Sequence, residues 1–463
     1  MAGIKHLSST YGASFLALIT LCYFTQGLRC FPWMAMTYWY KDNLKVDPGT
    51  MQFLMSTAAL PMVAKPVYGI ISDSVYIKGA HRVPYVIIAA GLQLFAWASI
   101  AMFAGVSSTA NLLTAFLTIT NFGGGIAEVV QDAMLAEAGK NKVGAQQGEL
   151  QSFAWLAMAA GGVVGNLSAG YAMKFLTPKA MVLIFVFLLA LQLLLAFTVN
   201  ERALGLGPVK KDTDDNPDAK EVEGRKGVVS AMWDQIATLK DSLQKPALWR
   251  PLLWFLSSYF VIPGIGGAIF FFQTEHLGLH VSVLGVARLV GQVGLLLGSM
   301  LFNKALKGLP LRKMFAAVQI LLSLCMLTDY IIVKRINLEY GIPDKWFVLG
   351  ASAFVEAIGQ FKILPFTVLL AQLCPPGSEA SVFAFFASAQ TIAGLTNGYL
   401  GVALANYLQI TAKDFSGLPT GILIQSFCAM LPVLWIGLIP ASEPKPNKEI
   451  QMKAVEDETK KEL

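Results

Sequence analysis

Charge is the scarcest commodity in this chain. Asp, Glu, Lys and Arg make up 14% of its 463 residues, where soluble domains carry about a quarter. With 55% of the residues hydrophobic, most side chains have no aqueous surface to occupy, which excludes an ordinary water-soluble globule. Cysteine is also sparse. Cys22, Cys30, Cys325, Cys374 and Cys428 lie in or beside apolar runs and form no C-x-x-C pair, which disfavours a disulfide framework and a zinc site. Of the 4 histidines, His276 and His280 flank Gly278 near the end of an apolar run, where a surface loop is a simpler reading than a metal site. No P-loop, nucleotide-binding domain or catalytic triad is present, so ATP-driven pumping and enzyme chemistry are not expected, and neither is a cofactor. The net charge of +6 comes from basic residues set mainly in short segments between apolar runs. That is where membrane topology signals belong, so nucleic acid is not expected as a partner.

What the chain has in abundance is apolar runs. A bilayer-spanning helix needs about 20 largely apolar residues, because backbone in hydrocarbon must satisfy its own hydrogen bonds. Twelve such runs are readable: 14–40, 51–73, 83–105, 110–138, 149–171, 179–200, 249–272, 281–304, 312–333, 346–374, 380–405 and 418–439. The only long polar stretch, 201–248, divides them into six and six. Its middle, 210–227, should be disordered, and 228–243 is either an interfacial helix or a plain tether. The expected fold is all-α and transmembrane, with a six-helix half over 14–200 and another over 249–439. Residues 1–13, the linker 201–248 and the tail 440–463 should be cytoplasmic. With the long linker left out, that side holds 14 Lys and Arg against 8 on the other, the sense the positive-inside rule favours. Residues 1–13 are too short and too poor in Arg and Ser for a transit peptide. A plasma-membrane or internal-membrane address is therefore expected. Two six-span halves with a cytoplasmic linker resemble the major facilitator superfamily, whose substrate sites lie between the halves. A monomer is the expectation that goes with it.

Ionisable residues inside spans are costly and so are functional candidates. Here they are Arg29, Lys65, Glu128, Asp132, Arg288, Asp329, Glu356 and Lys362. On the fourth span Asn121, Gly125, Glu128 and Asp132 follow steps of four, three and four, which puts them on one helix face. Two carboxylates one turn apart repel when both are ionised, the arrangement proton coupling needs; alternatively one of them pairs with a neighbouring cation for architecture. The cations Arg29, Lys65, Arg288 and Lys362 either cancel the buried acids pairwise or face a cavity that receives an anion. A stripe of Gln151, Trp155, Gly162 and Asn166 on the fifth span suggests a hydrated path. Glycine pairs such as Gly161/Gly165 suit close helix contact. Pro263 and Gly264 should interrupt the seventh span.

Several blocks resemble the folate-biopterin transporter family, and its plant members in particular. The first runs Lys65-Pro66-Val67-Tyr68-Gly69, Ser72-Asp73-Ser74, Gly79 and Arg82-Val83-Pro84-Tyr85. Others are Glu128 to Ala133 with Ala136-Glu137, then Gly148 with Leu150-Gln151-Ser152 and Trp155, Glu275 to Gly278, Pro310 to Lys313, and Cys374-Pro375 with Glu379-Ala380. Glu128 stands where the family usually has aspartate, and Gln131 where it has an apolar residue. The resemblance implies transport of folates, biopterin or related pterins, with protons as co-substrate. Asp132 or Glu128 would accept the pterin's donor edge, Trp155 would stack on its ring, and Lys65 and Lys362 would hold a glutamate tail. Gln151, Arg288 and Arg29 complete the candidate binding and coupling set. Gly69, Asp73 and Arg82 resemble the superfamily's gating motif. Two other readings remain: a facilitator-type transporter of another organic anion, and a receptor or scaffold that no longer transports.

Overall fold

The structure, a computed structural model, describes residues 2–77, 80, 82–140, 146–199, 201, 233, 237, 240–241, 244–301, 310–373 and 379–441. The expected disorder at 210–227, most of the 228–243 segment, the turn at 374–378 and the tail beyond 441 lie outside them.

Within the described residues the fold is helical. Nine stretches are long and apolar enough to cross a bilayer: Ala13–Asn43, Pro48–Asp73, Val83–Met102, Ala110–Ala138, Glu149–Phe175, Pro178–Thr198, Leu311–Val333, Asp344–Leu370 and Leu418–Leu438. They match expected spans one to six, nine, ten and twelve. Helical segments occupy the other three positions. The seventh is broken into Pro246–Phe260 and Gly266–Phe271. The eighth is the apolar helix Val281–Leu301. The eleventh, Glu379–Tyr407, is long, but Gln390, Thr391, Thr396 and Asn397 dilute it.

Buried apolar clusters fall on either side of the 201–245 segment. Two draw on residues 7–199 together with Phe271, and three on residues 248–439. Each half thus has its own core, with Phe271 of the second reaching into that of the first. Close packing inside the first half depends on glycine: a Cβ at Gly161 would collide with the Phe24 carbonyl of the first span, so the fifth and first helices touch backbone to backbone.

The first and seventh spans end alike, each in a π turn, at Trp39–Asn43 and Phe272–His276. Both turns lie at one end of the bundle, here the Lys41 end; Ser72, Asp73, Arg82 and Glu201 mark the opposite, Arg82 end. The halves meet tightly at the Lys41 end. Lys41 Nζ lies 2.5 Å from Glu275 Oε1 across the two π turns. Gly170 of the fifth span packs on Ser282 and Gly285 of the eighth.

The break in the seventh span frees backbone groups that hydrocarbon cannot satisfy. Neighbouring helices supply the partners. Asn397 Nδ2 donates to the Ile262 carbonyl at 2.8 Å, and the Gly264 N–H donates to the Asn397 carbonyl at 2.9 Å. Gln52, reaching across from the second span, donates through Nε2 to the carbonyls of Gly264 (2.5 Å) and Gly398 (2.8 Å). Its Oε1 accepts from the Gly267 N–H at 2.8 Å.

Candidate functional site

Three groups of polar side chains are held inside the bundle. The first lies within the first half. Glu128 on the fourth span stands between two cations, with Arg29 Nη1 at 2.5 Å from Oε1 and Lys65 Nζ at 2.6 Å from Oε2. Arg29 Nη2 also donates to Asn121 Oδ1 at 2.9 Å, and Asn121 Nδ2 donates to the Ala58 carbonyl at 2.7 Å. Gly124 lies under the guanidinium, which fills the space a side chain would take. The helix face read from the steps of four, three and four is therefore real, and it meets the first and second spans. Asp132, one turn on, has a different partner: Tyr23 Oη donates to its Oδ1 at 2.6 Å. Glu128 is locked in an ion triplet, whereas Asp132 is held by a neutral hydroxyl.

The second group caps the first half at the Arg82 end. Arg82 is almost fully buried. Its guanidinium donates to Glu137 through Nε at 3.0 Å and also through Nη2, donates to Ser72 Oγ at 2.8 Å, and lies 2.6 Å from Asp73 Oδ1. Burial works against this charge, but the Glu137 hydrogen bond and the charges of Asp73 and Glu137 outweigh it and hold the guanidinium pKa above its ordinary value. Glu201, just past the sixth span, accepts from the backbone N–H groups of Arg82 (3.1 Å) and Val83 (2.8 Å). A carboxylate there satisfies orphan donors at the N-terminus of the third span. Spans two, three, four and six are thereby tied at one point. Gly69, one turn before Asp73, packs on Val129 of the fourth span.

The third group lies between the halves, around a cavity of about 670 Å³. Its walls include Cys30, Tyr38 and Asn166 from the first half and Arg288, Asp329 and Glu356 from the second. Gln151 and Trp155 lie on the helix face of Asn166, nearer the Arg82 end. Trp155 is 59% exposed, so the other half does not cover it there. Lys362 is elsewhere. It is 2% exposed and packed among aromatic rings of the seventh span, its Nζ 4.0 Å from the Tyr259 ring centre, 5.6 Å from Phe255 and 5.8 Å from Trp254.

The expected site residues thus separate. Arg29, Lys65 and Glu128 come together with Asp132 beside them; Asp73 and Arg82 come together with Glu137 and Glu201; Arg288 lines the cavity, and Lys362 is caged. Tyr23, Glu201, Tyr38 and the aromatic cage were not among the candidates. They are ordinary apolar-span or loop residues by sequence, and only the fold brings them to the charges.

Comparison with known proteins sets this geometry in a family. The BT1 family matches residues 26–459. "Probable folate-biopterin transporter 9, chloroplastic" of Arabidopsis thaliana is 40% identical over 93% of this chain and 78% of its own length. The chain belongs to the BT1 family of folate-biopterin transporters. "Probable folate-biopterin transporter 4" of the same plant is 37% identical over 94% of this chain and 97% of its own. The "Folate-biopterin transporter" of Synechocystis sp. is 29% identical over 96% and 84%. Members of this family bear the names of transporters, not enzymes, and the chain is a multi-pass membrane transporter. Its fold is that of the major facilitator superfamily. A D-xylose-proton symporter structure superposes with a TM-score of 0.65 at 14% identity, covering 94% of this chain and 100% of that one. The xylose transporter XylE of E. coli gives 0.62 at 15% identity, over 95% and 99%.

Proposed function

We propose that the protein is a secondary active transporter of folates or related pterins, driven by protons and working by alternating access. The observation that carries this reading is the cavity between the halves with ionisable groups on its wall. Its volume suits a ligand of drug-like size, and such sites are apolar with a few placed polar groups.

In this reading residues 14–200 and 249–439 move as halves about that cavity, with 201–248 as their tether. The Lys41 end is closed by the Lys41–Glu275 ion pair, the Gln52 bridge and the Gly170–Gly285 contact. The uncovered Trp155 marks the way out toward the Arg82 end. The excess of basic residues assigns that end, with both termini, to the cytoplasmic side of a plasma or internal membrane. Asp132 carries the coupling proton. A carboxylate whose partner is a neutral hydroxyl takes up a proton without breaking an ion pair, which Glu128 cannot do. Gly69, Asp73 and Arg82 serve the gate by holding spans two, three, four and six as one body. The working unit is a monomer.

Uptake of labelled folic acid and biopterin into proteoliposomes tests the reading. An inward proton gradient should drive accumulation above the equilibrium level, and a protonophore should abolish it. Transport of neither compound would overturn the substrate. Equal filling with and without the gradient would overturn the coupling.

A further inference from the structure

Among the described residues, the intramembrane ions Arg29, Lys65, Glu128 and Asp132 of the first half are partnered, and those of the cavity are not. Glu128 is taken by Arg29 and Lys65, and Asp132 by Tyr23. Lys362 is enclosed by aromatic rings. These groups are poorly placed to receive a substrate, since each would first have to give up its partner. Arg288, Asp329 and Glu356 have no hydrogen-bond or ion-pair partner among the described residues, and all three line the cavity. Unpaired charges at membrane depth are costly, and they persist where something that comes and goes supplies the missing partner.

The local sequence makes room for this. Arg288 and Gly291 are three residues apart on the eighth span and both face the cavity. Glu356 lies over Gly291, where a Cβ would press on its Cγ at 3.0 Å. The glycine thus lets a carboxylate of the tenth span rest one turn from the guanidinium of the eighth without pairing with it. The first half adds uncharged groups. Tyr38 and Asn166 are 4% and 6% exposed, and Tyr38 Oη and Asn166 Oδ1 are buried without a hydrogen-bond partner while their residues line the same cavity. Orphaned buried polar atoms cost free energy unless something fills them.

We propose that the cavity divides its substrate by charge: Glu356 and Asp329 accept the donor edge of the pterin ring, and Arg288 holds the carboxylate tail that folates carry and biopterin lacks. This assignment rests on the folate-pterin reading above. It moves substrate recognition out of the first half, where Glu128 is engaged with Arg29 and Lys65 and Asp132 with Tyr23, and into the second. A carboxylate accepts the adjacent N–H groups of an aminopyrimidinone in bidentate fashion, and a guanidinium forks onto a carboxylate in the same way. Asn166 Oδ1 adds an acceptor and Tyr38 a hydroxyl to orient the ring between them.

Equilibrium binding to the full chain in nanodiscs, with folic acid and biopterin as the two probes, tests it. Arg288→Gln should weaken folic acid about tenfold or more, the scale of one lost charge-assisted contact, and leave biopterin within about twofold. Glu356→Gln should weaken both by about tenfold. An aminobenzoyl-glutamate fragment, which has the tail and no pterin, should bind the wild type and the Glu356→Gln variant and lose binding with Arg288→Gln. Equal effects of Arg288→Gln on folic acid and biopterin, or no effect on either, would overturn the assignment while leaving the pterin reading intact. A wild-type protein that binds neither pterin would sink that reading itself. If Arg288→Gln does not fold, Arg288→Lys keeps the charge without the planar fork, and it should show the same selective loss, smaller in size; a uniform loss would count against the proposal.

Discussion

At the scale of single residues, the decisive contrast is between two acids one turn apart. Glu128 pairs with both Arg29 and Lys65 at contact distances of 2.5 and 2.6 Å, with all three side chains about four-fifths covered. Removing the carboxylate leaves two like charges facing each other with no carboxylate in contact. Breaking a buried pair in this way costs about 3–5 kcal/mol, so Glu128→Gln should lower the unfolding temperature in detergent well beyond the drop caused by Asp132→Asn. A second change, Lys65→Met in the Glu128→Gln background, should recover part of the loss by removing one of the stranded charges. Equal destabilisation by the two acid variants would contradict the triplet. The stripe through Asn121, Gly125, Glu128 and Asp132 was legible because helical spacing alone puts those positions on one face. Which acid pairs with a cation was not legible. That depends on Arg29, Lys65 and Tyr23, which arrive from other helices and carry no local signal. Lys362 shows the same limit: its spacing says only that it is inside a span, and the aromatic cage that holds it comes from the seventh.

At the scale of helices, the places where regular structure fails carry the contacts between halves. Pro263 and Gly264 announce the break in the seventh span, since proline removes a donor and glycine releases the backbone. The short 3₁₀ stretch Leu60–Ala64 in the second span had the same kind of signal in Pro61, and it sits directly before Lys65. What no local pattern announces is that Gln52 satisfies both sides of the seventh-span break. Each of its hydrogen bonds is worth about 1 kcal/mol net, and all of them bridge the halves. Gln52→Leu should therefore loosen the Lys41 end. Cys30, a free thiol on the cavity wall, serves as reporter in a background where the other cysteines are serine. Its labelling by an impermeant maleimide from the Lys41 side should rise several-fold in Gln52→Leu. Unchanged labelling would mean that Gln52 only stabilises the fold. Gly401 makes a matching case for packing. A Cβ there would collide with the Gly264 carbonyl, so Gly401→Ala should push the eleventh span off the break. It should slow transport more than it weakens binding, as measured by the maximal rate against the half-saturating concentration.

At the scale of the whole molecule, the two halves hold their intramembrane ions differently. The twelve-run count and the polar 201–248 segment made the architecture readable, because membrane insertion constrains length and hydropathy more strongly than water does. The blocks around Lys65, Asp73 and Arg82 made the family readable as well. The allocation of charge between the halves was hidden, because it emerges only when each ion is seen with or without its partner. In the first half Glu128 holds Arg29 and Lys65, with Asp132 on a neutral hydroxyl; in the second, Arg288, Asp329 and Glu356 line the cavity without an ion-pair partner among the described residues. On this account coupling and recognition are separable. Asp132→Asn in proteoliposomes is the most direct test. The variant should still exchange labelled for unlabelled folic acid across the membrane at a rate near the wild type, since exchange needs binding and alternation but no net proton movement, while a proton gradient should no longer drive accumulation. Gradient-driven accumulation at the wild-type level, or loss of exchange together with accumulation, would contradict it.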